Sequence, residues 1–179
     1  MVYLLAVAIR TGANLTPLLE ASRNCLRPHA FMPSMMLLKM FKRRGNATKL
    51  VQLRYSKLHE GSLAVPMDGV ALLRKALELS ESLIAEAKAE QKDRVWLYRA
   101  AAGFNNAGEV TALSAATVRH GITALIGRHG LLGDDGNPLI LNLSRLRKTL
   151  EQRLWAISGG DLIATAALMG HDPKVADMH

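Results

Sequence analysis

The sequence predicts an α+β fold that is mainly α-helical with a small antiparallel β-hairpin or sheet. Three observations carry this: helical spacing of apolar residues through most of the chain, one pair of short apolar runs flanking a Gly-Asn turn, and well-marked helix ends in the second half. The chain has 179 residues, 49% of them hydrophobic, enough to bury one substantial core without disulfides or a structural metal. A single domain spanning 1–179 is expected.

The apolar opening Met1 to Ile9 predicts a core helix. It is too short to cross a bilayer and lacks the flanks of a signal peptide. The helix should end near Arg10-Thr11-Gly12, with Thr16-Pro17 beginning a second one that reaches about Ser22. Met35 to Phe41 and Lys49 to Tyr55 bracket Lys42-Arg43-Arg44-Gly45-Asn46, which predicts a β-hairpin with a basic tip. Between Met67 and about Ala89, Val70, Leu73, Leu77, Ile84 and Ala87 recur at helical spacing, which predicts one long amphipathic helix.

A connector follows, anchored by Val95, Trp96 and Leu97, with Phe104 to Gly108 as loop. Ser114 should cap a helix running to His129, with Gly130 just beyond it. Gly133 to Pro138 is a loop. Asn142 caps a helix through about Ile157, Ser158-Gly159-Gly160 breaks it, and Asp161 caps another from Leu162 to Met169. Gly170 ends that one, and Asp172-Pro173 would start a last helix. Both ends of the sequence look cut from a longer chain.

Charge narrows the function. Lys and Arg total 23 against 15 Asp and Glu, a formal +8, which favours polyanionic partners such as nucleic acid. Cys25, the single cysteine, cannot form an internal bridge, and the six histidines show no zinc-like pairing with it, so a reducing cytoplasm is the expected compartment. No glycine loop for nucleotide phosphates and no Gly-x-Ser-x-Gly elbow is present.

Leu143-Ser144-Arg145-Leu146-Arg147-Lys148-Thr149, then Ser158-Gly159-Gly160-Asp161, then Leu168-Met169-Gly170-His171 is a specific order. It resembles the tyrosine recombinase (phage integrase) family, in which a His-x-x-Arg helix, a Gly-bearing break and a Gly-His precede a nucleophilic tyrosine by about nine positions. The next matching position would be 180, and the sequence ends at 179. Arg10 to Leu19 resembles the family's first box, Thr-Gly-x-Arg followed by a helix ending in an apolar pair. The likeness therefore spans nearly the whole chain.

The resemblance implies the catalytic domain of a DNA strand-exchange enzyme that works through a 3′-phosphotyrosyl intermediate, without metal or cofactor. Arg147 would stabilise negative charge on the attacked phosphate. The hairpin lysine, Lys42 first and Lys49 second, would protonate the leaving 5′-oxygen, and His171 would bond the phosphate or hold the nucleophile. Two positions depart from the pattern: Asn14 stands in place of the first arginine and Ser144 in place of the motif histidine. Arg10, one turn back, is a poor substitute. With the nucleophile outside the 179 residues, the chain itself is expected to bind duplex DNA weakly and not to cleave it.

Arg43, Arg44, Lys49, Arg145 and Lys148 are the expected DNA contacts, and duplex DNA and further recombinase protomers the expected partners, with no membrane. The ordinary readings are a solvated helix face for Arg145, Arg147, Lys148 and Arg153, and a charged hairpin edge for Lys42-Arg43-Arg44. Trp96 and Trp155 are expected to fill the core, Met32 to Met40 to pack the hairpin, and His29, His59, His120 and His129 to carry no chemistry. Two other function classes compete. Residues 143–169 can be read as a helix-turn-helix of a non-enzymatic DNA-binding module, and the whole as a helical protein-interaction domain.

Overall fold

The computed structural model describes residues 1–43, 46–54, 68–103 and 106–169, apart from the side chains of Lys42, Arg54, Ala167 and Leu168. Helix α1 (Val2–Thr11) lies at the centre. Leu4, Val7, Ala8 and Thr11 recur every three or four positions, so they form one buried stripe. Gly12 closes the helix at φ 58°, a left-handed conformation open to glycine, and its N–H bonds the Ala8 carbonyl at 2.9 Å.

The next helix, α2 (Leu15–Leu19), is shorter than the sequence suggested and takes Asn14 as its N-cap. Strand β1 (Leu26–Pro28) follows. It was not foreseen, because three residues carry no periodicity and Pro28 is tolerated only on a sheet edge. The hairpin appears as expected, β2 (Met35–Lys42) with β3 (Ala47–Arg54), in an antiparallel sheet of order β1-β2-β3. Its register pairs Leu38 with Val51, Met40 with Lys49 and Lys42 with Ala47. Leu38, Met40 and Leu53 are buried while Lys39, Phe41, Leu50 and Gln52 are exposed. One sheet face therefore covers the core, and Lys49 belongs to that face.

Helix α3 (Gly69–Glu81) starts where Asp68 accepts from the Ala71 N–H at 2.8 Å, and ends well before Ala89. The reason is tertiary. Arg23 donates to the Leu77 carbonyl at 3.0 Å, to Ser80 Oγ at 2.8 Å and to Glu81, terminating the helix from outside. Ile84 and Ala87 then join a separate small cluster with Leu97 and Val110. That cluster sits on a second unforeseen sheet, β4 (Leu97–Arg99) with β5 (Val110–Ala112).

Helices α4 (Ala115–His129), α5 (Leu143–Ile157) and α6 (Leu162–Met169) fall where capping signals put them. Ser114, Asn142 and Asp161 accept from the N–H groups of Thr117, Arg145 and Ala164. Gly159 and Gly160, at φ 68° and 86°, make the break between α5 and α6. Trp96 is buried and its Nε1–H donates to the Leu18 carbonyl at 2.7 Å. Trp155 corrects the sequence reading: it is 45% exposed and covers Gly160 instead of entering the core. Among the described residues no helix is long and apolar enough to cross a membrane.

Candidate functional site

The site is built around the end of α1. The Thr11 hydroxyl donates to the Val7 carbonyl at 2.8 Å and accepts from the Ala13 N–H at 3.2 Å, so the turn after the helix is pinned from within. Gly12 must be glycine twice over. Its φ is left-handed, and a Cβ there would stand 3.0 Å from both Leu150 Cδ2 of α5 and Met169 Cε of α6. Helices α5 and α6 therefore press directly on this turn.

Arg147 projects from α5 into the junction. Its Nη1 donates to the Gly12 carbonyl, and its Nη2 approaches the Met169 carbonyl at 3.4 Å. Burial pulls the guanidinium below the usual arginine range, opposed by Glu151 one turn on. It remains a cation, and a partly desolvated one attracts an anion more strongly than one in bulk water.

From the sheet side, Lys49 Nζ donates to the same Met169 carbonyl at 2.9 Å. Met169 is the last described residue of α6. Two cations from distant elements thus meet on one backbone oxygen.

Lys42 closes the hairpin ladder opposite Ala47, but its side chain, Arg44 and His171 lie outside the described residues. Asn14 is exposed and makes no side-chain cap bond to α2, while Ser144 is exposed on the first turn of α5. Arg10 is exposed at the other end of β3, where its Cβ lies 3.9 Å from a Cβ built at Gly69, beside Leu53.

The other expected DNA contacts are placed apart. Arg43 forks onto Glu20, with Nη2 2.7 Å from Oε1 and Nε 3.1 Å from Oε2. Arg145 donates to the Ile140 carbonyl, and Lys148 is exposed on α5. The carbonyls of Gly12 and Met169 were missed by sequence reasoning. A Thr-Gly helix end and a helix stopping before Gly170 were the available signals. Among the described residues no cluster of His, Cys, Asp and Glu could hold a metal ion.

No family model and no curated protein matches the chain. Among solved structures it is similar to a XerH site-specific recombinase bound to palindromic difH substrate in a post-cleavage complex, at 16% sequence identity and a TM-score of 0.61. The likeness covers 98% of this chain, which spans 40% of the length of that one. Among the described residues, six α-helices and two small antiparallel sheets in this arrangement are a tyrosine recombinase catalytic-domain-like fold.

Proposed function

We propose that the chain is the DNA-binding, catalytic-type domain of a site-specific recombinase or integrase that breaks and rejoins duplex DNA through a 3′-phosphotyrosyl intermediate. The observation that carries this is the shared carbonyl of Met169, two residues before His171, which joins a hairpin lysine to the motif arginine. Arg147 stabilises charge on the non-bridging oxygens of the attacked phosphate, and Lys49 serves as the hairpin lysine that protonates the leaving 5′-oxygen. His171 completes the phosphate contacts, and Lys148 binds flanking backbone. The formal +8 supplies the wider attraction to DNA, and further protomers act with it there.

Asn14 and Ser144 lower the rate. Loss of one charge-stabilising donor typically costs on the order of 10²-fold or more. The non-enzymatic helix-turn-helix reading has less support, since α6 (LIATAALM) carries no charged side chain to read bases or grip phosphates.

The test is fluorescence anisotropy with a labelled duplex between 50 and 200 mM salt, roughly the range over which phosphate contacts reveal themselves. Affinity should fall as salt rises, and Arg147→Ala and Lys49→Ala should each reduce the salt slope by about one. Absence of binding at low salt overturns the proposal in favour of a protein-interaction domain. Salt-sensitive binding that ignores both variants favours the non-enzymatic module. Chemistry is read on a nicked duplex with a tyrosine supplied about nine positions after His171; a covalent adduct abolished by Arg147→Ala is expected.

A further inference from the structure

We infer that Gly12 and Met169 are positioning residues whose backbone carbonyls hold Arg147 and Lys49 together as one anion-binding unit. This rests on the reading that the unit receives a DNA phosphate. Two cations approaching one another repel unless something negative stands between them. Here the Met169 carbonyl stands between them, accepting from Lys49 at 2.9 Å and from Arg147 at 3.4 Å, as an oxygen with two lone pairs can. The Gly12 carbonyl takes the other arm of the guanidinium. A guanidinium has five N–H donors and an ammonium three, so bonds to carbonyls and to a phosphate can coexist.

What fixes these carbonyls is side-chain packing. Met169 is 1% exposed, and its Cε and Sδ lie 3.0 and 3.1 Å from where a Cβ on Gly12 would stand. The Met169 thioether therefore keys the end of α6 onto the end of α1, and its own carbonyl is held in place as a result. A phosphate then meets cations already gathered, and their ordering is not charged against binding.

The test separates positioning from mere folding. Met169→Ala keeps both cations but removes the key. Its salt slope for duplex DNA should fall by about one and its affinity near 50 mM salt by about tenfold, with Met169→Leu restoring both. A purely structural role would lower the binding-competent fraction and leave the slope intact, and that result overturns the inference.

A double-mutant cycle at unchanged Met169 gives an independent reading should Met169→Ala fail to fold. Lys49→Ala should weaken binding severalfold less in an Arg147→Ala background than in the parent chain, because the two cations act through one acceptor. Additive losses overturn the positioning role. If Arg147→Ala alone leaves the slope unchanged, the phosphate reading itself has failed, a different outcome from either of these.

Discussion

Lys49 and Arg147 donate to one backbone oxygen, the Met169 carbonyl, from positions 120 and 22 residues away in the sequence. That relationship makes the chemistry of each side chain separable from its charge. Arg147→Lys keeps the cation but loses the planar fork that reaches Gly12 and Met169 together. The variant should bind duplex DNA roughly tenfold more weakly at low salt, despite an unchanged net charge. Anisotropy titrations at fixed salt measure this; equal affinity would show that Arg147 acts only as a point charge.

Gly12 and Gly130 offer a matched pair. Both end helices at nearly the same angle, φ 58° and 57°, but a Cβ at Gly12 meets Leu150 and Met169 while a Cβ at Gly130 meets nothing within 4 Å. Gly130→Ala should lose only the left-handed strain, about 1–2 kcal/mol. Gly12→Ala adds overpacking of about 1–3 kcal/mol, so its melting temperature should fall further by roughly 2–12 °C. Thermal melts followed by circular dichroism compare them, and equal losses would remove the packing argument at Gly12.

The elements legible in the sequence are those defined by local chemistry. Ser114, Asn142 and Asp161 mark helix starts because a cap bonds only three residues ahead. The end of α3 was not legible, since Arg23 supplies it from a remote loop, and β1, β4 and β5 exist only through their pairing partners. At the site, Arg147 could be singled out as a residue type in a motif. The carbonyls of Gly12 and Met169 could not, because every residue carries one. The preference for Lys42 over Lys49 came from position at the turn. Both stand at the same parity of the ladder, and the bond from Lys49 to the Met169 carbonyl depends on the packing of α6, which no local sequence signal displays.

The two tryptophans should report different environments. Trp96 is 5% exposed and bonded to the Leu18 carbonyl, whereas Trp155 is 45% exposed. Iodide should therefore quench Trp155 emission and spare Trp96, so that Trp155→Phe removes the quenchable component. Trp96→Phe removes one of two donors to the Leu18 carbonyl, which keeps the Ala21 N–H at 3.2 Å, at a cost of about 0.5–1.5 kcal/mol, and should lower the melting temperature by roughly 1–6 °C. Quenching that survives Trp155→Phe would contradict the placement.

Cys25 gives a pH dependence whose sign is fixed. It is 1% exposed, and burial pushes its thiol from 9.0 up to about 11; Asp93 adds to the rise, and a backbone hydrogen bond opposes it. The folded state thus keeps a proton that the unfolded chain releases near 9.0. The contribution is fully present below that pH and disappears as pH climbs towards 11, a loss of roughly 2–3 kcal/mol. Lysines and tyrosines titrate in the same range, so the measurement is a difference. Denaturant unfolding of the parent chain and of Cys25→Ala should converge in stability, relative to their separation at pH 8, as pH rises through this window. A disulfide-exchange reagent should leave the native thiol unmodified at pH 8 and label it once denaturant opens the core. A constant stability difference across the window, or rapid labelling of the native chain, would show that Cys25 is not held as a buried neutral thiol.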